Sequence, residues 1–136
     1  MLRYFPAVAA LLAGVAAHAQ QAPVPRASAG VACPRGTSYA TIRHSLVKAG
    51  KWAQFEKAVA DHTAWYAAKG SRTVTRIVRV VEIKGGKPGL STMSAMTITK
   101  YAGAAPERDA GYAAFTAEYK DSATIKDEAR VCLPAL

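Results

Sequence analysis

The sequence predicts a single α+β domain in which four strands and two helices follow one another in the order β-α-β-β-α-β. Three observations predict this class: two segments carry aromatic and aliphatic residues at helical spacing, four contain β-branched residues without a breaker, and glycine and proline separate them. A length of 136 residues leaves room for one compact domain. Apolar residues make up 51% of the chain, which excludes an intrinsically disordered protein.

The first 19 residues are typical of a secretory signal peptide. Arg3 supplies a positive charge, Ala7 to Ala17 are apolar, and Ala17-His18-Ala19 offers small residues at a cleavage site. We therefore expect cleavage near Ala19 and a periplasmic or secreted protein. The apolar run is too short to cross a bilayer, and no later segment is long enough, so no membrane anchor is expected.

The predicted elements follow a flexible leader, residues 20–36, whose Ala, Pro and Gln show no period. The folded domain is expected over residues 37–133. Its first strand is predicted from Tyr39 to Val47, and its first helix from Lys51 to Lys69, just before Gly70. One face of that helix carries Trp52, Phe55, Val59, Thr63 and Tyr66.

The second half of the domain begins with its most β-branched segment, Thr73 to Ile83. Lys84 to Gly89 contains glycines and a proline, and it is predicted to be the hairpin connection to a returning strand, Ser91 to Tyr101. A second helix is expected over roughly Glu107 to Ser122, and a last strand from Thr124 to Leu133.

This order of elements is that of the ferredoxin-like fold. Two right-handed crossovers would place the strands of a four-stranded antiparallel sheet in the order 4-1-3-2, with both helices on one face. The start of strand 1 then lies beside the end of strand 4, which brings Cys33 close to Cys132. We expect a disulfide between them in an exported protein, the alternative being two separate thiols.

Strand 2 carries apolar residues at both even- and odd-numbered positions, so both faces of the sheet are predicted to be partly apolar. Val74, Val78 and Val80 alternate with Ile77, Val81 and Ile83. The helices can cover only one face, and an uncovered apolar face usually marks an interface. We therefore expect a homodimer that packs sheet against sheet, the alternative being a leader that folds back across this face.

On this element order, and on the first-helix sequence FEKAVADHTAWYAAKG, the chain resembles the dimeric α/β-barrel superfamily over Tyr39 to Leu133. That superfamily includes NIPSNAP-type proteins and antibiotic-biosynthesis-type monooxygenases. The resemblance implies two ferredoxin-like protomers packed sheet to sheet, each with a small-ligand pocket between its sheet and helices. The oxygenases of the superfamily characteristically use an active-site asparagine. The sequence contains no asparagine, which disfavours oxygenase activity.

His62 is the first candidate for chemistry. At about 100° per residue it falls at the border of the apolar helix face, about 20° from Phe55 and about 40° from Tyr66. A histidine there could titrate near neutral pH and serve as a catalytic base or a ligand donor. Trp65 and Tyr66 are expected to line a ligand site beside it. The alternative is a border histidine bonded to water and a tryptophan that covers the sheet edge.

Arg43 and His44 are the candidate ligand-binding residues of strand 1. They are adjacent in sequence, so their side chains lie on opposite faces and one of them should lie on the helix-free face. Arg79 and Arg130 are candidates to join Arg43 there and to bind an anionic group. Outward charges near the strand ends are the alternative.

Other classes of function are disfavoured. Two distant cysteines and two histidines outside the signal peptide do not make a zinc site, and no nucleophile-elbow, P-loop or dinucleotide-binding motif is present, so neither metal nor cofactor is expected. The formal charge is +9, or +8 once Arg3 is removed with the signal peptide. Lys and Arg are spread over every element without a basic run, so no nucleic-acid partner is expected.

Two hypotheses follow from the sequence. The first is an exported homodimeric protein that binds a small apolar or anionic molecule through Trp65, Tyr66, Arg43 and His44. The second is a cofactor-independent enzyme, of the oxygenase or isomerase class, with His62 as general base. A purely structural dimer without a ligand stays open.

Overall fold

The structure is a computed structural model that describes residues 32–134. Its elements are β1 (Thr37–Val47), α1 (Trp52–Ala68), β2 (Val74–Lys84), β3 (Lys87–Lys100), α2 (Ala110–Ser122) and β4 (Ala123–Pro134). The predicted order β-α-β-β-α-β is confirmed. The predicted signal peptide and most of the predicted leader lie outside the described residues. Neither described helix is long and apolar enough to cross a membrane.

The four strands form one antiparallel sheet in the order β2-β3-β1-β4, which confirms the predicted order and the ferredoxin-like fold. β1 and β4 pair along their whole length, and Tyr39 lies opposite Cys132. This pairing brings Cys132 to Cys33, and the two form a disulfide with 5.6 Å between their Cα atoms. The predicted disulfide is therefore confirmed, across a sequence separation of 99 residues.

The two faces of the sheet can be assigned from the core contacts. Val47 on β1 and Ala95 on β3 pack against Phe55 and Val59 of α1. Side chains alternate along a strand, so the odd-numbered residues of β1 and of β3 from Ala95 onward point toward the helices, on the helix-covered face. The even-numbered residues there lie on the opposite, helix-free face.

Two clusters of buried side chains hold the helices on the sheet. The first is Val47, Phe55, Val59 and Ala95, and the second is Trp65, Tyr66 and Phe115. Tyr119 of α2 packs against both clusters, so it joins them into one layer. Burial of these aromatic and aliphatic groups is the main stabilising contribution to a domain of this size.

The hairpin between β2 and β3 is tighter than predicted. Only Gly85 and Gly86 form the turn, with φ values of 57° and 76° that suit a two-residue connection. The predicted connection from Lys84 to Gly89 is therefore too long, since β3 already begins at Lys87. Pro88 is tolerated in the strand because β1 pairs with β3 only from Ser94 onward, which leaves one side of Pro88 without a partner strand.

A bulge interrupts the pairing of β2 with β3 between Arg79 and Val81. On the β3 side, the Ser91 hydroxyl accepts hydrogen bonds from the backbone N–H groups of Met93 and Ser94 and donates to the Glu82 carboxylate. Arg79 and Val81 are two residues apart on β2, whereas their partners Ala95 and Leu90 are five residues apart on β3, so the extra residues lie in β3 and interrupt the two-residue period of that strand.

The two helices do not cover the whole sheet. α1 packs over β2 and α2 packs beside α1, whereas β4 makes few contacts with α2. Residues Thr124 to Arg130 of β4 are accordingly exposed at every position, on the helix-covered side as well as the other. The sheet therefore has an open margin next to α2.

Candidate functional site

Hydroxyl groups line much of the helix-covered face of the sheet. Its buried polar residues are Thr41, Ser45, Thr75, Thr97 and Thr99. On the helix-free face, the same central strands carry the aliphatic residues Ile42, Leu46, Met96 and Ile98. A sheet with one covered face normally shows the reverse distribution. The layer between helices and sheet therefore offers buried polar groups to a binding or catalytic site.

His62 of α1 lies within this hydroxyl-rich layer. Its Nδ1 atom is 3.2 Å from the Thr75 hydroxyl and 3.4 Å from the Tyr119 hydroxyl. Thr75 is held in turn by a hydrogen bond of 3.0 Å between its hydroxyl and that of Thr99. The imidazole also stacks on Phe115, with 4.4 Å between the ring centroids. Side chains of α2 and β2 thus fix the ring from both sides.

The environment of His62 keeps it uncharged. Burial, together with the nearby positive charge of Arg43, lowers the pKa of His62 to about 4. The imidazole is therefore neutral at pH 7, with one nitrogen that donates and one that accepts. The predicted titration near neutral pH is wrong, because the ring is buried under α2 rather than placed at the border of a half-exposed helix.

Trp65 does not line an open site. It is buried in the second cluster, and its Nε1 donates to the Asp109 carboxylate at 2.7 Å. The same carboxylate oxygen caps α2 by accepting from the backbone N–H of Tyr112. Gly111 makes room for the indole, because a Cβ there would lie 3.0 Å from the ring. Trp65 therefore positions the beginning of α2.

Tyr66 is part of the same cluster and also lies next to His62, with 5.4 Å between their ring centroids. Burial, with a smaller effect of neighbouring Tyr101 and Tyr112, raises the pKa of Tyr66 to about 12. Its hydroxyl is thus protonated at neutral pH and is available as a hydrogen-bond donor at the base of the layer.

Arg43 lies on the helix-covered face, where its Nε donates to the Glu128 carboxylate of β4 at 2.7 Å. The Arg43 side chain is 20% exposed, and its charge acts on the buried rings of His62, Tyr66 and Tyr119. This guanidinium therefore reaches from the aromatic layer to the open margin of the sheet. Arg43, His62 and Tyr66 therefore lie near one another on the helix-covered side of the sheet, whereas Trp65 is packed against the start of α2.

His44 lies on the helix-free face, so the sheet separates it from these residues. Adjacent residues of a strand lie on opposite faces, and Arg43 occupies the helix-covered one. The Nε2 atom of His44 is 2.7 Å from the Ser94 hydroxyl, and its Nδ1 is 3.6 Å from Asp127. The second distance is too long for a hydrogen bond. His44 therefore belongs to a different surface from His62, and the two cannot act on one small ligand.

The three arginines do not converge on the helix-free face. Arg79 lies on the helix-covered side, where its guanidinium is 4.1 Å from the centre of the Trp52 ring. Arg130 lies opposite Thr41 and approaches Glu128 at 3.6 Å. Arg43 and Arg130 thus share one carboxylate, whereas Arg79 is on the far edge strand. The expected arginine cluster on the helix-free face is wrong.

A cavity of about 340 Å³, which the sequence did not predict, lies along one flank of α2. Its walls are Arg108, Asp109, Tyr112, Ala113, Thr116, Ala117 and Lys120. Glu118, on another flank, bonds to Lys57 of α1 at 2.6 Å, so the cavity lies on the side of α2 away from α1. The small side chains of Ala113 and Ala117, four residues apart, were the signal available in the sequence.

No group of three or more His, Cys, Asp or Glu side chains within residues 32–134 is placed to hold a metal ion. Comparisons with protein-family models, with curated proteins and with solved structures found no match for this chain. Residues 32–134 have the ferredoxin-like architecture described above.

Proposed function

We propose that this protein binds a small anionic molecule with an apolar body, in a cleft between the flank of α2 and β4. The observation that carries the proposal is the open margin of the sheet: Thr124 to Arg130 stay exposed on the side that the helices cover elsewhere. The cavity is lined by α2 and the two residues before it, on the side of α2 turned away from α1, and Arg43 marks the margin through its hydrogen bond to Glu128 of β4. A ligand there would complete the covering of the sheet.

Cations favour an anionic ligand in this cleft. Arg108 and Lys120 lie at the two ends of the cavity, and Arg43 and Arg130 lie on the sheet. Arginine binds carboxylates in two-point geometry, which makes Arg43 the first choice for the ligand's charged group. In the free protein the Arg43 guanidinium donates a hydrogen bond to the Glu128 carboxylate, so the anionic group of the ligand would compete with Glu128 for Arg43.

The walls between the cations suit an apolar ligand body. Ala113 and Ala117 offer small apolar surfaces, and the ring of Tyr112 lies at one end beneath Arg108, 4.6 Å from its guanidinium carbon. A volume of about 340 Å³ is near the lower end for small-molecule sites. The cleft therefore favours a compact ligand with one or two rings over a long chain.

The same proposal includes export and a dimer of the α/β-barrel type, with NIPSNAP-like proteins as its architectural counterpart. Export is supported by the Cys33–Cys132 disulfide, because disulfides persist in oxidising compartments. The dimer is supported by the aliphatic residues of the helix-free face, which a second copy would bury. A leader folded back across that face is the alternative cover.

The binding test uses 1-naphthoate and its uncharged analogue 1-naphthamide, measured by isothermal titration calorimetry. We expect the carboxylate to bind about tenfold more tightly or better, which corresponds to about 1.4 kcal/mol. Arg43→Gln should abolish this preference. Arg130→Gln is the matched control, since Arg130 contacts the same carboxylate from a more exposed position, and it should keep most of the preference.

Glu128→Gln gives the opposite expectation. It removes the carboxylate that competes for Arg43, so 1-naphthoate should bind more tightly than to the wild type. Equal binding of the acid and the amide, no saturable binding of either, or no effect of Arg43→Gln would each contradict the proposed cleft.

The alternative function is a cofactor-independent enzyme with His62 as general base. One observation favours it: the imidazole is neutral at physiological pH, with hydroxyls of Thr75 and Tyr119 to orient it. A reaction of this kind would lose its rate only as the pH falls toward about 4, the pKa of His62. The rate should also vanish in His62→Gln, whereas a binding protein would show no turnover to lose.

A further inference from the structure

Two oppositely charged residues of the helix-free face lie at opposite edges of the sheet. Arg76 is on β2, at one edge, where it pairs with Ile98, and Asp127 is on β4, at the other edge, where it pairs with His44. Lys100, two residues from Ile98 on the same face of β3, adds a second positive charge beside Arg76. Ile42, Met96 and Ile98 form an aliphatic band on the two central strands between these edges, and Val78 extends this band on β2.

Neither edge charge is neutralised within the described part of the chain. Arg76 is exposed and forms no ion pair with any of residues 32–134. Asp127 has one contact of this kind, at 3.6 Å from His44, and its side chain is 83% exposed. Arg76 at one edge and Asp127 at the other make this apolar face self-complementary in charge at these two positions; Lys126, which has no β1 partner at the β4 bulge, is the positive neighbour of Asp127 along the chain.

We propose that two copies pack through their helix-free faces about a two-fold axis parallel to the strands, so that Arg76 of each copy pairs with the partner's Asp127. The proposal rests on the dimer proposed above and adds its orientation and its charged contacts. A two-fold axis makes the interface use the same patch twice, so each dimer has two such ion pairs.

The direction of the axis follows from charge. An axis parallel to the strands places β2 of one copy over β4 of the other, which brings unlike charges together at both edges. An axis in the same plane but perpendicular to the strands places β2 over β2 and β4 over β4, which brings Arg76 near the partner's Arg76 and Asp127 near the partner's Asp127. Like charges at an interface oppose association, so the first arrangement is favoured.

The spacing along the strands is compatible with this pairing. In the sheet register, Arg76 is level with Ile42 of β1, whereas Asp127 is level with His44, two residues further along. Two residues correspond to about 7 Å along a strand, and packed sheets lie about 10 Å apart. The long arginine side chain can bridge this offset, while the aliphatic band fills the centre of the interface.

Charge reversal tests the arrangement. Dimer dissociation constants are measured by sedimentation equilibrium at low salt for wild type, Arg76→Glu, Asp127→Arg and the double variant. We expect each single variant to dissociate at least about tenfold more readily, because like charges then meet twice per dimer. The double variant restores pairs of opposite charge, so its dissociation constant should return most of the way to that of the wild type. Arg130→Glu, on the helix-covered side of β4, is the matched control and should leave the dissociation constant unchanged.

The outcomes separate this proposal from the one on which it rests. A wild-type protein that stays monomeric at every concentration overturns the dimer itself, and the orientation with it. A wild-type dimer whose single variants associate as tightly as the wild type overturns the orientation and leaves the dimer standing. If the single variants dimerise more weakly and the double variant does not recover the wild-type dissociation constant, the Arg76–Asp127 pairing is also contradicted.

Discussion

The imidazole of His62 lies nearly flat against the ring of Phe115, with 4.4 Å between the centroids and 18° between the planes. Phe115 comes from α2 and is buried, so it excludes water from one side of the imidazole. A charged imidazolium would lose its hydration there without gaining a carboxylate partner. The contact between the two helices therefore selects the neutral form of His62.

The stability of the protein should depend on pH through His62. Its pKa is about 4 in the folded chain, against the ordinary histidine value of 6.5 that applies once the chain unfolds, so between these values the unfolded chain binds more protons. The free energy of unfolding should therefore rise from about pH 4 to 6.5, by on the order of 3 kcal/mol for this group. Urea unfolding across this range measures it.

The variant His62→Gln is the comparison for this pH dependence. It cannot take up a proton, so its free energy of unfolding should rise less steeply over the same range. Equal slopes in wild type and variant would show that another group carries the effect. Titration of the histidine ring protons by NMR, with His62→Gln to identify the resonance, gives the pKa directly.

The two tryptophans should respond differently to replacement by phenylalanine. Trp65 Nε1 donates to Asp109, whereas Trp52 Nε1 is buried and has no hydrogen-bond partner within residues 32–134. Trp65→Phe therefore loses a hydrogen bond to a charged group and the link to the start of α2. Trp52→Phe removes an unsatisfied donor and should change the free energy of unfolding by less than about 1 kcal/mol. An equal or larger loss for Trp52→Phe, measured in urea, would contradict this ranking.

Loss of the disulfide should destabilise the domain by several kcal/mol. The Cys33–Cys132 bond closes a loop over a sequence separation of 99 residues, for which the chain-entropy treatment gives up to about 4–5 kcal/mol. We expect Cys33→Ala/Cys132→Ala to unfold at a lower urea concentration than the oxidised wild type. A reductant should shift the wild type in the same direction and leave the double variant unchanged. If the reductant did not change the urea concentration at which the wild type unfolds, the disulfide would not contribute to its stability.

The turn of the β2–β3 hairpin should distinguish its two glycines. Both have positive φ, and asparagine is tolerated at the first position of such turns while glycine is preferred at the second. Gly85→Asn should therefore be neutral or stabilise by up to about 1 kcal/mol, since it restricts the unfolded chain. Gly86→Ala should cost roughly 1–2 kcal/mol through left-handed backbone strain. The ranking is checked by thermal unfolding, and the reverse order would contradict this turn geometry.

Much of the fold could be predicted because its signals are local. The helix over Trp52–Ala68 follows from the spacing of Trp52, Phe55 and Val59, and the order of elements leaves few topologies. The start of β3 could not be predicted in this way. Pro88 and Gly89 predicted a loop, but both residues lie in β3 and pair with β2. They are tolerated because β1 pairs with β3 only from Ser94 onward, so this part of β3 has no partner strand on its other side. The sequence does not show where the pairing with β1 ends.

The candidate site could be predicted only in part. His62, Tyr66 and Arg43 do come together, and the pairing of Cys33 with Cys132 follows from topology. The burial of His62 was not predictable, because it depends on Phe115, which is 53 positions further along the chain. Desolvation is a property of packed neighbours, and it moved the pKa out of the neutral range.

The sequence by itself determined the number and order of the elements, the fold class and the cysteine pair, since residue periodicity and right-handed connections are intrinsic to the chain. Only the tertiary structure decided which face of β1 meets the helices. Apolar residues of β1 occur at both even- and odd-numbered positions, so alternation alone could not show which of Arg43 and His44 lies on the helix-covered face. Packing of Phe55 on Val47 and Ala95 made that choice, and it placed Arg43 beside the cleft and His44 on the opposite surface.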